Sequence, residues 1–395
     1  MGTVADDRSA SPWMPANVRK VNESMLLFST SLRARRITEV RSSSHCRAAG
    51  SELSRPRPLP GSFRAMACCL VSMLGLSTAS TAAGPQETGG DQSGTELRLM
   101  ALTVDDLPAN CTCRDLESWR QLTEGLLEAL AEHGAPAIGF VNEGKLYAEG
   151  ASLPEPERVD LLRRWLDRGF ELGNHTFSHP DLHRVPLAEF QADAERGERV
   201  TRRLLLEHGR SSALRFFRHP FLHTGRDLET KHAFESWLEE RGQRVAPVTI
   251  DNAEWIYARA YDRALDRSGT DAEWLDTAAR VRTAYLDYML AQTAFFEQQS
   301  RKLLGREMVQ VLLLHANRLN ADALDELLRR HGQRGYRFVT LDAALEDPAY
   351  QLPDEYVGPA GMSWIQRWAW TRGHRGDFFA GEPEVETWVR DLADG

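Results

Sequence analysis

The 395-residue sequence predicts an α/β protein with about seven parallel strands. From Glu96 onward, short apolar runs of strand length alternate with longer amphipathic stretches. This alternation is typical of βαβ units, in which a helix joins each strand to the next parallel strand. Seven such units fit either a barrel or a doubly wound sheet, and a hydrophobic content of 42% is sufficient for a large core.

Seven apolar runs are predicted to form the strands. In chain order they are 97–104, 135–141, 169–174, 213–218, 245–251, 308–316 and 336–341. The predicted helices lie at 115–132, 156–168, 187–207, 227–241, 273–303 and 321–332. The stretch 256–304 carries spaced Tyr, Trp, Leu and Phe residues, which favours a helical insertion packed into the core before the sixth strand over a cofactor-binding or membrane-binding surface.

The first 83 residues differ in character from the rest of the chain. Near the end of this region, arginines are followed by a short apolar run from Ala65 to about Ala79 and then by small residues. This order is the pattern of a secretory signal peptide rather than a buried helix. The preceding residues are interpreted either as a disordered leader or as lying before a translation start at Met66. Residues 84–95 read as a linker. An exported protein, periplasmic or secreted, is therefore expected, with its signal peptide near residues 64–83.

Charge and hydropathy argue against two classes of partner. The net charge is −9, and because residues 1–83 contribute +6, the remainder of the chain carries −15. No basic patch stands out in that remainder, which argues against nucleic acid. The apolar run near the N-terminus is too short to span a bilayer comfortably, so no stable membrane span is expected.

Ionisable residues follow five of the predicted strands. In barrels and doubly wound sheets the active site gathers at the carboxyl ends of the strands. Because buried carboxylates and histidines cost free energy unless they are paired or bound to a metal, their arrival at one rim predicts a functional site. In strand order, the residues are Asp105 and Asp106, His175 and His179, Arg218, Asp251 and Glu254, and His315.

The segment His175-Thr176-Phe177-Ser178-His179 suggests a metal site. Two histidines four residues apart point the same way on one helical turn, and a carboxylate from a neighbouring strand, Asp106, would complete three ligands. Catalytic zinc commonly keeps its fourth position for water. Such a histidine pair alone also occurs as surface or capping residues, but its combination with a strand-end Asp-Asp pair favours the metal site.

Five ordered motifs in this sequence resemble those of the polysaccharide deacetylase family, also called carbohydrate esterase family 4 or the NodB-like domain. That family folds as a distorted (β/α) barrel, so the resemblance implies this architecture over residues 96–347. Residues 348–395 would then be a C-terminal extension that packs on the barrel. The matching motifs are Thr103-Val104-Asp105-Asp106, His175-Thr176-Phe177-Ser178-His179, Arg218-His219-Pro220-Phe221, Asp251-Asn252-Ala253-Glu254-Trp255 and Leu313-Leu314-His315.

The resemblance implies a metal-dependent hydrolase that removes acetyl groups from an N-acetylated glycan or chito-oligosaccharide. Asp106, His175 and His179 would hold a divalent metal, for which zinc is the first candidate. Asp105 would act as the general base on a metal-bound water, and His315 would protonate the departing amine as the general acid.

Further residues of these motifs are expected to support the reaction. A guanidinium beside a carboxylate stabilises its charged form, so Arg218 would keep Asp105 ionised. The family implies that the backbone N–H of Phe221 stabilises the oxyanion. Leu313 and Trp255 resemble the walls of the pocket that receives the acetyl methyl group.

Three positions depart from the family pattern. Val104 replaces the usual Phe, and Leu107 stands where the family often has Gly, so the loop after the first strand is expected to differ in shape. Glu254 stands where the family usually has an Asp that orients the catalytic histidine. Either Glu254 or Asp251 could serve His315 in this way, and the sequence leaves both open.

Two alternative functions stay open at this point. The same site would suit an O-acetyl esterase or a small-amide hydrolase, and a catalytically silent carbohydrate-binding module would keep the fold alone. Retention of both Asp105 and His315 favours an enzyme, because a binding module needs neither a base nor an acid.

Three smaller features also carry alternatives. Cys111 and Cys113 are compatible with a disulfide or with two free thiols. His223 either contacts substrate or is a solvated loop residue. The three tryptophans within residues 354–373 either pack against the barrel wall or form a platform for sugar rings.

Overall fold

The structure, a computed structural model, describes residues 98–269 and 273–395. The predicted leader, signal peptide and linker, which occupy residues 1–95, lie outside these described residues. Within the described ranges, no helix combines the length and apolar character that crossing a membrane requires.

In the described part of the chain, seven strands form one sheet in which every paired neighbour is parallel. The spatial order is β5-β4-β3-β2-β1-β6, and β7 pairs with the first residues of β1. The prediction of about seven parallel strands is therefore confirmed. The strands are β1 (Arg98–Leu107), β2 (Ala137–Val141), β3 (Glu171–Asn174), β4 (Phe216–Phe217), β5 (Arg244–Val245), β6 (Gln310–His315) and β7 (Tyr336–Val339).

Residues 244–250 link the two edges of this sheet. At their start, Arg244 and Val245 pair with β4, and at their end Ile250 bridges to Leu312 of β6. The amide of Thr249 donates to the carbonyl of Val311 at 3.0 Å. The strands thus curl into a distorted (β/α) barrel, which confirms the predicted fold class and explains why the apolar run 245–251 forms only a two-residue strand.

Helices cover the strands, and five of the six predicted helices begin and end within a few residues of their predicted positions. Short 3₁₀ turns at Glu143–Leu146, Pro220–Leu222, Pro348–Gln351 and Gly376–Phe379 complete the described secondary structure. The helices are α1 (Leu116–Glu132), α2 (Pro156–Asp167), α3 (Leu187–Arg196), α4 (Arg199–Glu207), α5 (Leu228–Glu240), α6 (Glu254–Ser268), α7 (Glu273–Leu304), α8 (Arg318–Gln333), α9 (Leu341–Ala344), α10 (Trp364–Thr371) and α11 (Thr387–Asp394).

The single helix predicted over 187–207 is wrong, because the chain forms two helices that break at Gly197. A Cβ on Gly197 would lie 2.6 Å from the amide nitrogen of Phe177 and closer still to the carbonyl carbon of Thr176. Both atoms belong to the loop that carries His175 and His179. The break therefore allows the helical region to approach this loop backbone to backbone.

The helical insertion before the sixth strand is confirmed. Helices α6 and α7 lie between β5 and β6, and the aromatic side chains along them are buried in the main core. Tyr257 and Tyr288 meet with ring centroids 5.0 Å apart. The spaced aromatic residues thus serve packing.

The C-terminal residues contact the segment that closes the barrel. The amide of Trp364 donates to the carbonyl of Val248 at 2.7 Å, and the hydroxyl of Ser363 donates to the carbonyl of Thr249 at 2.6 Å. Trp364 and Trp368 are buried in the same core as the insertion. Two of the three tryptophans are therefore inaccessible as a sugar platform.

Candidate active site

Strand register brings the ionisable residues to one end of the barrel. Asp105 is the partner of His315 where β1 pairs with β6. His175 directly follows β3, and Arg218 directly follows β4, the neighbour of β3. The strand-end residues predicted from the sequence therefore do converge.

Asp106 lies between the two histidines of the second motif. Its Oδ1 atom is 4.0 Å from Nε2 of His175 and 3.8 Å from Nε2 of His179. Asp106 has a φ of 71° and His179 a φ of 56°, and non-glycine residues adopt this left-handed region only when their surroundings hold them there. Such backbone strain commonly accompanies a functional site.

Hydrogen bonding at His175 leaves Nε2 available as a metal donor. Its Nδ1 lies 2.8 Å from the carbonyl oxygen of Arg218, and because a carbonyl only accepts, this nitrogen carries the proton. Burial keeps the pKa of His175 well below its ordinary value. The ring is therefore neutral, as a metal ligand must be.

The loop between the histidines is fixed at several points. The carboxylate of Asp193 accepts from the amides of Phe177 and Ser178, both at 2.9 Å. The side-chain amide of Asn142 donates to the carbonyl of His175 at 2.6 Å. These bonds hold the two imidazoles in place without using their ring nitrogens.

The donor set fits a divalent cation. One carboxylate oxygen and two imidazole nitrogens are the ligands that zinc uses in catalytic sites. Beside them, Oδ1 of Asp105 is buried and has no hydrogen-bond partner within the described part of the chain. A buried carboxylate oxygen with no partner is costly, and a cation with its water would satisfy it.

Asp105 is held differently from its neighbour Asp106. Its Oδ2 accepts from a guanidinium nitrogen of Arg218 at 3.3 Å, and the other terminal nitrogen donates to the hydroxyl of Thr103 at 3.0 Å. Arg218 is fully buried, with Phe140 below its guanidinium. Burial raises the pKa of Asp105 to about 6, although Arg218 and His315 act in the opposite direction.

His315 pairs with Glu254, and this contact decides the alternative that the sequence left open. Nδ1 of His315 lies 2.7 Å from Oε2 of Glu254. Burial lowers the pKa of His315, but the carboxylates of Glu254, Asp106 and Asp105 together outweigh it and raise this pKa to about 9. Asp251 accepts instead from the amide of Asn252 at 2.8 Å, so it affects His315 only through its charge.

The remaining predicted residues lie around these groups. Phe221 has a φ of 59°, and its ring packs edge-on against His179 with centroids 4.6 Å apart. Leu313 lies two residues before His315, and Trp255 directly follows Glu254. Leu313 is buried, and Trp255 is partly buried against the main core.

Two residues at the site escaped the sequence analysis. The side-chain amide of Asn110 donates to Oδ2 of Asp106 at 2.8 Å, and Nζ of Lys145 lies 3.2 Å from Oδ1 of the same residue. Burial raises the pKa of Asp106, but Lys145 and the two histidines together hold it well below its usual range. Lys145 follows β2 by four residues, so the strand-end rule applied to β2 would have found it.

The loop that carries Asn110 also holds the cysteine pair. Cys111 and Cys113 are joined by a disulfide, which settles the alternative between bridge and free thiols. The backbone amide of Thr112, between the two cysteines, donates to the carboxylate of Asp262 on α6 at 2.8 Å. The loop is therefore tied both to itself and to the insertion.

A second histidine cluster lies beyond His179. His183 and His223 stack with ring centroids 3.9 Å apart, and Nδ1 of His223 lies 2.7 Å from Oδ1 of Asp181. The other oxygen of Asp181 pairs with Arg184 at 3.1 Å. Since Asp181 is already engaged and both rings are buried, His223 is neither a solvated loop residue nor open to substrate.

Parts of this chain are similar to known glycan deacetylases. Residues 92–233 match the family model described as polysaccharide deacetylase. A chitooligosaccharide deacetylase of Bradyrhizobium sp. is 36% identical over 113 residues, which make up 29% of this chain and 42% of that protein. A peptidoglycan-N-acetylglucosamine deacetylase of Bacillus cereus is 28% identical over 156 residues, 40% of this chain and 46% of that protein.

This chain is also similar to a solved structure. The peptidoglycan deacetylase PdaC of Bacillus subtilis is 20% identical, with a TM-score of 0.39 over 64% of this chain and 91% of that chain. This chain spans less than half the length of the two curated relatives. The matched family region includes Asp105 through Phe221, whereas Glu254 and His315 lie beyond it.

Proposed function

Because this chain belongs to the polysaccharide deacetylase family, we propose that it is a metal-dependent hydrolase that removes acetyl groups from an N-acetylated glycan or chito-oligosaccharide. The observation that carries the proposal is the meeting of Asp106, His175 and His179 at the strand ends beside Asp105 and His315. A divalent cation, zinc first among the candidates, would supply a Lewis acid that polarises the acetyl carbonyl and activates water.

Asp105 is proposed to be the general base. Its partnerless Oδ1 can accept a proton, while Arg218 occupies Oδ2 and fixes the carboxylate. A pKa raised to about 6 suits a base that works near neutral pH, because such a group is ionised yet still basic enough to take a proton.

His315 is proposed to be the general acid. Its pKa of about 9 keeps the imidazolium protonated at neutral pH, and Glu254 holds Nδ1, which leaves Nε2 to donate. An amide needs this proton because an unprotonated amine is a poor leaving group, whereas an ester depends on it less. The arrangement therefore favours an N-acetyl over an O-acetyl substrate.

Supporting roles are proposed for three further residues. The backbone of Phe221 would donate its N–H to the oxyanion, since the left-handed turn places this residue against His179. Leu313 and Trp255 would line the space for the acetyl methyl group.

The proposed function is tested by acetate release from N-acetyl chito-oligosaccharides, peptidoglycan and O-acetylated xylan, with and without a chelator. We expect release from an N-acetylated glycan that the chelator abolishes and added zinc restores. His175→Ala and His179→Ala should lose bound metal while circular dichroism stays unchanged. Full metal occupancy in both variants, or release unaffected by the chelator, would contradict the proposal.

Export is proposed as well. Residues 64–83 have the composition of a signal peptide, and a cell-wall or extracellular glycan would be reached only outside the cytoplasm. The intact mass of the protein recovered from the medium or periplasm tests this. A recovered species that retains residues 1–65 would contradict it.

A further inference from the structure

The ammonium of Lys145 contacts the carboxylate oxygen of Asp106 that would be the ligand of the cation. Its Nζ lies 3.2 Å from Oδ1 of Asp106 and also donates to the backbone carbonyl of Asp106 at 3.2 Å. The same Oδ1 faces Nε2 of both His175 and His179. Oδ2 already accepts from Asn110, so Oδ1 is the oxygen left for a metal.

The backbone at Lys145 is held firmly. Lys145 belongs to the 3₁₀ turn Glu143–Leu146, and the buried carboxylate of Glu143 accepts from the amides of Val200 and Thr201 at 3.0 and 2.7 Å. The amide of Gly144 donates to the carbonyl of Phe177 at 2.8 Å. The turn is thus tied to α4 and to the histidine loop, and only the side chain of Lys145 is free to move.

A second contact secures the other side of this turn. A guanidinium nitrogen of Arg158 donates to the carbonyls of Lys145 and Tyr147 at 3.0 and 3.1 Å. The side chain of Lys145 itself is 28% exposed, so its ammonium can swing toward solvent without disturbing the turn. An alternative position for the charge therefore exists next to the site.

We propose that Lys145 is an internal competitor of the divalent cation: its ammonium holds Asp106 in place in the metal-free protein and weakens metal binding. Two cations on one carboxylate oxygen repel each other, so the metal must displace the ammonium or bind against its charge. The inference rests on the proposed function, since it takes Asp106, His175 and His179 as the metal ligands.

A purely positioning role for Lys145 predicts the opposite change. If the ammonium only orients Asp106, its removal would loosen the ligand and weaken metal binding, as loss of supporting contacts around metal sites usually does. If it competes, its removal strengthens binding. The direction of the change in dissociation constant therefore distinguishes the two.

The experiment is a zinc titration of the full, metal-stripped chain against a chromophoric chelator. Lys145→Met and Lys145→Gln remove the charge, Lys145→Arg keeps it, and Lys302→Met repeats the substitution at an exposed lysine on α7. We expect the dissociation constant to fall about 10- to 100-fold in the two neutral variants, the range over which groups around a site tune its affinity. The dissociation constants of Lys145→Arg and Lys302→Met should stay within about threefold of that of the unsubstituted chain, a smaller change than in the neutral variants.

Outcomes separate this inference from the proposed function. If the unsubstituted chain binds zinc through His175 and His179 but the neutral variants bind equally or more weakly, the competition is overturned and the metal site stands. If the unsubstituted chain binds no zinc, or His175→Ala binds as tightly, both are overturned. Thermal unfolding of each variant, measured without metal, verifies that a folded chain was titrated.

Discussion

The Nδ1 atom of His315 lies 2.7 Å from Oε2 of Glu254, whose side chain is fully buried. The other carboxylate oxygen of Glu254 accepts from the side-chain amides of Asn317 and Asn320. Both oxygens of this carboxylate therefore hold the imidazole and its surroundings, although the residue is one methylene longer than the family's usual aspartate.

Glu254→Gln should shift the alkaline limb of the pH–rate profile toward neutral pH. A general acid works only when protonated, so activity falls as pH rises through the His315 pKa of about 9. Without the Glu254 carboxylate, burial still lowers that pKa, and only the charges of Asp106 and Asp105 oppose it, so the pKa should fall. The rate at pH 8 should fall by roughly 10- to 100-fold, and the rate near pH 6 by less. Acetate release between pH 5 and pH 10 measures this.

Glu254→Asp is the matched variant for that experiment. It keeps the negative charge and restores the residue typical of the family, so the alkaline limb should stay near its original position. An unchanged limb in Glu254→Gln would mean that another group supplies the proton.

Asp105→Asn and Asp106→Asn should fail in different ways. Asp105→Asn keeps the three metal donors, so it should retain metal and lose about 10²- to 10⁴-fold in turnover, the usual contribution of general acid–base catalysis. Asp106→Asn replaces a carboxylate ligand by a neutral amide and should weaken metal binding. Metal content after dialysis and acetate release are measured for both. Metal loss in Asp105→Asn alone would reverse the assignment.

Gly197→Ala should displace the histidine loop. The added Cβ would meet backbone atoms of Thr176 and Phe177, which cannot move aside as a flexible side chain can. We expect a loss of roughly 1–3 kcal/mol in the free energy of unfolding, together with weaker metal binding. The matched change is Gly332→Ala in α8, where no atom lies within 4 Å and the helix should gain up to about 1 kcal/mol. Equal effects at the two glycines would contradict the close approach.

Arg367→Met should destabilise the chain and lower turnover. Arg367 is buried and donates to the carboxylate of Asp354 at 2.8 Å and to the carbonyl of Leu222 at 3.3 Å, next to Phe221. Its loss leaves Lys231 as the remaining cation on Asp354 and removes the donor to the carbonyl of Leu222, at a cost of roughly 2–3 kcal/mol. Urea unfolding and acetate release measure the two effects.

The matched change for that prediction is Arg375→Met. Arg375 is exposed, donates to nearby carbonyls and lies over the ring of Trp370, so its loss should cost no more than about 1 kcal/mol. If Arg367→Met were no more damaging than Arg375→Met, the C-terminal residues would not support the Phe221 turn.

The sequence predicted those parts of the site that depend on strand ends. Apolar runs located β1, β3 and β6, and chain direction then required Asp105, His175 and His315 to reach the same rim. Helix ends were close to their predicted positions where a cap is local, as at Asp115, whose carboxylate accepts from Ser118.

Features that depend on distant contacts were not predictable in this way. The strand-end rule locates Lys145 near the site, but its contact with Asp106 also depends on Glu143, which α4 fixes from more than fifty residues later in the chain. The choice of Glu254 over Asp251 follows from where α6 begins, since only the first turn of that helix reaches His315. The helix breaks at Gly197, where the chain packs closely against a loop about twenty residues earlier, and local helix propensity does not predict such a contact.

Strand β6 both closes the barrel, through the bridge between Leu312 and Ile250, and pairs with the central strand β1. The central strand therefore depends on residues that are synthesised late. β1 finds its β6 partner only after the whole helical insertion has been made, so during synthesis one edge of β1 exposes unpaired backbone groups. Open strand edges pair readily with other chains. A chain that stops before β6 would therefore be expected to aggregate rather than to persist as a smaller soluble barrel.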